Sequence, residues 1–315
     1  MEENFAYEAR GNGICILRCY GSSGSVVIPE ELEGLPVTEV SAYAFAEEIE
    51  QEPQYDGGFP CICGEKLEEL YLPKTVRRLG RYIFYNCVKL RKLSFYSNIA
   101  FIGAGAFTGC RRLSKLEMHW LKQNSCLREI LQDLKQKVIV DCYAKPGKEE
   151  QESQELIFRL VFPEFYEEAV ENTPARITST QTHGVGIQYR NAFFQTRVVF
   201  QEYDRLFEIG KYNMDLKNVI EMAVSRLRYP YKLEEYARRK YAGWLSEHLE
   251  AGANYFLSKD DLEDLRWLAQ EFIGKREQLE LFLEAAKLRG HTEAVSMLLD
   301  VGHSRFPGNK KKLEL

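Results

Sequence analysis

Apolar residues in the first half of the chain recur at a fixed interval. Leu67, Leu90 and Leu113 are spaced 23 residues apart, as are Leu70, Leu93 and Leu116. The same offset carries Gly80 onto Gly103, Phe84 onto Phe107 and Cys87 onto Cys110. A looser copy runs through VVIPEELEGLPVTEVSAYAF, where Val26, Ile28 and Pro29 correspond to Leu70, Leu72 and Pro73. AEEIEQEPQYDGGFPC, rich in Glu, Gly and Pro, interrupts the spacing and reads as an inserted surface loop. Upstream, Gly13 to Tyr20 alternates, with Cys15, Leu17 and Cys19 on one face and Ile14 and Ile16 on the other, which predicts a strand of a hairpin. Downstream, Asn124–Ser125 precedes a helical spacing of Leu127, Ile130, Leu131 and Leu134, and VIVDCY predicts a closing strand.

After about residue 155 the pattern changes. ELIFRLVF predicts a strand, and Pro163 suits the first position of a short helix over PEFYEEAVEN. ITSTQTHGVGIQYRNAFF carries no clear period. Helical spacing then predicts Asp215–Leu227, Lys232–Leu249, Asp260–Phe272, Arg276–Leu288 and Thr292–Leu299, with Ser258 and Asp261 as an amino-terminal box for the third. The expected fold class is α+β: a short solenoid of stacked strands over 1–143, a linker over 144–155, and a mixed, then mostly helical domain over 156–315.

A period of 20–29 residues on an L-x-x-L-x-L frame is that of leucine-rich solenoids, whose units bury their apolar residues only by stacking. Units of the form L-x-x-L-x-L-P followed by I-G-x-x-A-F-x-x-C resemble the BspA-type leucine-rich repeat family. FIGAGAFTGC matches well, RLGRYIFYNC more loosely, and EVSAYAF lacks both the glycine and the cysteine. ICILRCYGSSGSVVIPEELEGLPV is similar to that family's capping unit. The resemblance covers residues 1–143 and implies a rigid solenoid for protein recognition, with no catalytic residue to transfer. FLEAAKLRGHTEAVSMLLDVG resembles an ankyrin-type helix pair joined at His291, and HLEAGAN resembles the exit loop of one. Leu249 and Leu299 are 50 residues apart where ankyrin units expect about 33, so only the idea of stacked helix pairs carries over.

Charge is unevenly spread. The net charge of −5 combines an acidic segment 1–65 (2 Lys+Arg, 13 Asp+Glu) with a basic segment 66–122 (12 and 3). Opposite faces that neutralise each other account for this; a surface steering an anionic partner or nucleic acid is the alternative. Tyr71, Tyr82, Tyr85 and Tyr96 interleave the basic residues, as stacking on a single strand requires. A sequence pI of about 5.8 argues against a dedicated nucleic-acid binder. MEENFAYEARGNG resembles no export signal and no apolar run reaches membrane-spanning length, so a cytoplasmic, bacterial protein is expected.

Chemistry-bearing patterns are sparse. All eight cysteines precede residue 143. Cys15, Cys19, Cys61 and Cys63 supply four thiols, the number a tetrahedral zinc takes, but C-x-C spacing is unusual for such a site. Cys87 and Cys110 read as core thiols. His183-Gly184-Val185-Gly186 lacks a phosphate-loop frame. No histidine neighbours a nucleophile in a recognisable frame, so an enzyme would rest on residues 177–190, with Thr182, His183, Tyr189 and Arg190 converging. No cofactor and no metal is expected. The expected activity is recognition of another protein by the outward positions of the strand frame: Glu69, Lys92 and Lys115 beside Tyr71, Ser94 and Glu117.

Overall fold

A computed structural model describes residues 4–49, 52–121, 125–144, 154–172 and 177–306. The chain divides into two compact units, Met1–Met214 and Asp215–Leu315.

In the first unit, strands β1 (Asn4–Arg10) and β2 (Gly13–Tyr20) form the antiparallel capping hairpin. Nearly all of β2 is buried, so its alternation does not separate an inner from an outer face. The chain then coils. Strands β3 (Ser25–Val27), β4 (Glu31–Leu32) and β5 (Leu35–Val40) precede the inserted loop. After it follow β6 (Glu69–Tyr71), β7 (Arg78–Leu79), β8 (Lys92–Tyr96), β9 (Phe101–Ile102) and β10 (Lys115–His119). Helix α1 (Leu127–Asp133), β11 (Val138–Ala144) and β12 (Glu155–Phe162) complete the coil. One sheet has the order β1-β2-β5-β7-β9, with β4 paired to β5; the other has the order β12-β11-β10-β8-β6-β3.

The sequence period is the pairing register. Glu69 lies opposite Lys92, and Lys92 opposite Lys115, each step being 23 residues in parallel strands. Val26, Leu70, Leu93, Leu116, Val140 and Leu160 therefore stack in one column, every one fully buried. On the return side Phe45, Phe84 and Phe107 form a second column, with ring centroids 5.6 and 5.3 Å apart. The Cys87 thiol donates to the Phe45 carbonyl and the Cys110 thiol to the Phe84 carbonyl, each at 3.2 Å. Each unit thus bonds through its sulfur to the unit before it. Gly80 and Gly103 are required by close backbone approach: a Cβ at Gly80 would lie 2.1 Å from the Ala42 nitrogen, and one at Gly103 2.2 Å from the Arg81 nitrogen.

Helix α1 buries Leu127, Ile130, Leu131 and Leu134 as its spacing predicts. Asn124 lies outside the described residues; Ser125 Oγ accepts the Leu127 N–H at 3.4 Å. Strand β11 is not the last. ELIFRLVF, β12, pairs antiparallel with it, so the composition change at 144–155 falls between two paired strands of one sheet. The backbone N–H of Val161 donates to Tyr203 Oη at 2.9 Å and the Tyr203 hydroxyl donates to the Val161 carbonyl at 2.7 Å. This single phenol occupies the outer edge of the sheet where another strand would otherwise pair.

The helix expected over PEFYEEAVEN is instead β13 (Tyr166–Asn172), paired with β14 (Ile177–His183) in an antiparallel hairpin. The Thr-rich ITSTQTH favours extended backbone and supplies a full cross-strand ladder, which outweighs the local helix preference of YEEAV. Short helices α2 (Gly186–Arg190), α3 (Phe200–Arg205) and α4 (Phe207–Asn213) follow, with the two-residue strands β15 (Phe193–Phe194) and β16 (Arg197–Val198) between the first two.

The second unit consists of α5 (Leu216–Arg228), α6 (Glu235–Glu247), α7 (Leu249–Lys259), α8 (Leu262–Phe272), α9 (Arg276–Leu288) and α10 (Thr292–Arg305). HLEAGAN is no exit loop. It opens α7, because Leu249, Ala253, Phe256 and Leu257 repeat at helical spacing and are buried. The box expected at Ser258 lies three residues later: Asp261 caps α8 by accepting the Asp264 N–H at 3.0 Å, while Ser258 bonds back to the Tyr255 carbonyl. His291 caps α10 through the Ala294 N–H and bonds Asp260 at 2.6 Å, a turn role and not a reactive one.

Candidate functional site

The outward positions of the β12-β11-β10-β8-β6-β3 sheet form three columns. Glu69, Lys92 and Lys115 make the first, and Tyr71, Ser94, Glu117, Asp141 and Arg159 the second. Tyr96, His119 and Tyr143 make the third. All six sequence-predicted contact residues therefore share one face.

They are not free side chains. Arg91 pairs with Glu69 at 2.7 Å, and the Tyr71 hydroxyl donates to the same carboxylate at 2.7 Å. The Lys92 ammonium sits 2.9 Å from Glu117 and 4.9 Å from the centroid of the Tyr71 ring. Lys115 pairs with Asp141, which Arg159 also grips with two parallel bonds of 2.7 and 2.9 Å. Ser94 is only 5% exposed and shares a 3.0 Å hydrogen bond with His119 Nε2. The His119 ring is stacked between Tyr96 and Tyr143, centroids 4.8 and 5.7 Å away, and its other nitrogen meets Gln154. Burial works against the charge of Asp141, yet its bonds with Arg159 and the nearby Lys115 outweigh that and hold its carboxyl below the usual range. Burial pulls the Lys115 ammonium down, with Asp141 opposing.

Asp141, Arg159, Tyr96, His119 and Tyr143 were not singled out from sequence. Asp141 was within reach, since VIVDCY continues the frame with a 24-residue step from Glu117. Arg159 arrives on an antiparallel strand that no repeat signals.

The opposed charges of the two segments meet across adjacent turns. Lys74 pairs with Glu30 at 3.1 Å, Arg78 with Glu39 at 3.4 Å and Lys89 with Glu65 at 3.6 Å. Tyr82 stacks on Tyr43 at 5.4 Å. The basic segment is thus laced to acidic neighbours, and its four interleaved tyrosines, Tyr71, Tyr82, Tyr85 and Tyr96, are already engaged with neighbouring side chains.

The residues proposed for an enzyme do not converge. Thr182 is exposed on β14, and His183 lies on the Tyr166 ring with centroids 4.6 Å apart, 3.3 Å from Glu168. Tyr189 and Arg190 are fully buried. The Arg190 guanidinium donates to the carbonyls of Leu131, Leu134, Gln136, Pro163 and Gly186, fastening the end of α1 to the strand and helix around it. The four zinc-candidate cysteines do not gather either: Cys15 and Cys19 are core residues, and among the described residues no three metal-ligating side chains converge.

Residues 59–130 match the BspA type leucine rich repeat region in six copies. The repeat segment is thus similar to BspA-type leucine-rich repeats over those residues. A leucine rich cell surface protein from Faecalibacterium prausnitzii A2-165 is 20% identical over 37% of this chain and 31% of its own, with a TM-score of 0.26. The T. pallidum leucine rich repeat protein is 23% identical over 36% of this chain and 68% of its own, with a TM-score of 0.20. The chain spans less than a third of the Faecalibacterium protein it matches. No curated protein matches. Among the described residues no helix is long and apolar enough to cross a membrane.

Proposed function

We propose that this chain, with its BspA-type repeats, is a non-enzymatic scaffold that recognises another protein through the three-column face of the β12-β11-β10-β8-β6-β3 sheet. The observation that carries this reading is the cross-paired network Arg91–Glu69, Lys92–Glu117 and Lys115–Asp141–Arg159, set on a parallel sheet with a fixed register. Side chains already held by their neighbours lose little freedom on binding, so a partner meets a surface ordered in advance. The charges nearly balance, which favours a mixed polar partner over a polyanion, and the Tyr96–His119–Tyr143 stack supplies a flat amphipathic strip beside them. The eight free cysteines favour a reducing compartment, the cytoplasm.

The test uses the full chain as bait in lysate of the native host, beside a Lys92→Glu/Lys115→Glu variant whose fold is checked by circular dichroism. A stoichiometric protein retained by the parent and lost by the variant supports the reading. A partner held equally by both, or nucleic acid released by salt, refutes it.

A further inference from the structure

The inserted segment that interrupts the 23-residue spacing forms one wall of a cavity of about 720 Å³, which opens beside β2 and the turns that follow β5 and β7. Such a volume falls within the ~300–1,000 Å³ of clefts that take small molecules. Leu17 on β2 and Ile49 and Pro53 on the insertion give it an apolar lining, and Ser41 adds a hydroxyl. None of its described lining residues lies on the face proposed above for protein recognition.

One cation fixes the two walls to each other. Arg18 is fully buried, and its Nε and Nη2 donate to the Glu52 carboxylate on the insertion at 3.2 and 2.6 Å. Its Nη1 donates to the carbonyls of Ala44, at 3.4 Å, and Ala46, in the turn that makes the opposite wall. The Tyr20 and Tyr55 rings, stacked at 3.7 Å, tie the insertion to the capping hairpin a second time. In the opposite wall Tyr43 holds a φ of 58°, a conformation that bulky side chains rarely adopt. Tyr82 does the same at 49°, whereas the equivalent slot one unit later holds Gly105 at 64°. The Tyr82 ring backs the Tyr43 ring at 5.4 Å, so the strained backbone presents a supported aromatic surface at the cavity.

Two charges of the lining stand without a counter-charge. Glu48 and Arg81 are both exposed, and neither makes an ion pair, with the other or with any other residue, among the described residues. Arg81 meets the Tyr43 ring instead, 5.9 Å from its centroid. Other cations of the same segment behave differently: Lys74, Arg78, Lys89 and Arg91 each meet a glutamate of a neighbouring turn. Glu52 is already neutralised by Arg18.

We propose that this cavity binds a small zwitterion, an amino acid or dipeptide with an apolar side chain. Its carboxylate pairs with Arg81, its ammonium with Glu48, and its apolar body rests on Leu17, Ile49 and Pro53. A simple anion would satisfy Arg81 and be repelled by Glu48, and a simple cation would meet the reverse. One molecule that carries both charges satisfies both groups, and a guanidinium suits a carboxylate with two parallel bonds. Because Arg18 already holds the walls, little ordering is required when the ligand enters.

The experiment is a saturation-transfer NMR titration of the full chain with three probes: L-phenylalanine, L-leucyl-L-phenylalanine and N-acetyl-L-phenylalanine amide. The last keeps the apolar body and lacks both charges. At least one zwitterion should bind at millimolar concentration or below, the amide should bind at least tenfold more weakly, and the better zwitterion shows which length spans the two charges. Glu48→Gln and Arg81→Gln should each weaken that probe about tenfold or more, the equivalent of one hydrogen bond to a charged group. Lys74→Gln, which breaks an ion pair outside the cavity, should leave the affinity unchanged. No transfer to either zwitterion at millimolar concentration, an amide bound as tightly, or Glu48→Gln and Arg81→Gln equal to the parent overturns the proposal. Both substituted side chains are exposed, so circular dichroism of the variants should match the parent.

Discussion

Replacing Arg190 with Met removes a cation that holds five carbonyls from four places in the first unit. Hydrogen bonds to a charged group contribute about 1.5–3 kcal/mol each, so the gross loss is on the order of 10 kcal/mol. Much of this is returned, because a buried guanidinium carries a desolvation cost of several kcal/mol. That cost is visible in Arg190 itself, which burial draws down to about 10. The net destabilisation expected is about 3–5 kcal/mol, comparable with breaking a buried ion pair. Arg190→Lys keeps the charge but has three donors for five acceptors, and about 2 kcal/mol should be lost. Urea unfolding followed by Trp120 fluorescence, in a background with Trp244 and Trp267 replaced by Phe, reports on the first unit alone, since Trp120 is its one tryptophan. If Arg190→Met unfolds within about 1 kcal/mol of the parent, the guanidinium is not the fastening described, and its five bonds contribute no more than water would.

Gly103→Ala places a methyl 2.2 Å from the Arg81 nitrogen, and a shift of the backbone there should cost about 3 kcal/mol or more in the same assay. Asp141→Asn strands Arg159 and Lys115 and should cost about 3–5 kcal/mol at neutral pH. Because the Asp141 carboxyl is held below its unfolded value of about 3.9, its contribution is complete above that pH and is lost as pH falls through the folded value. The gap between parent and Asp141→Asn in urea midpoints should therefore close in acid; a gap that stays constant with pH contradicts the assignment.

The solenoid was legible because one number served two purposes: the 23-residue offset read from Leu67, Leu90 and Leu113 is also the strand register. The phenylalanine column and the core thiols of Cys87 and Cys110 followed from the same frame, and helix α1 from its own 3.6-residue spacing. What lay outside the repeat was harder. YEEAVEN is locally helical, and only pairing with ITSTQTH makes it a strand, a contact no short window contains. HLEAGAN was misread on its likeness to an ankyrin exit loop, yet a Cβ at Gly252 would lie 2.9 Å from Leu268, so this glycine is small for helix packing. The outward face was placed from alternation, but its pairing was not, since Arg159 arrives on β12. Arg190 was a candidate for chemistry because it closes the stretch 177–190, which no period explains; its five carbonyls become its partners only on folding.

The backward-pointing thiols have a consequence for how long such a chain can grow. Each cysteine reaches only the phenylalanine one turn earlier, and each glycine only the backbone one turn earlier. A 23-residue cassette duplicated within the array would find its sulfur acceptor, aromatic neighbour and backbone slot in the turn it follows, and would offer the same three to the turn after it. The hairpin at one end and the Tyr203 hydroxyl at the other would meet unchanged neighbours. Every copy would widen the outward face by one strand spacing, about 4.8 Å, which makes length an inheritable variable that can drift separately from the two ends.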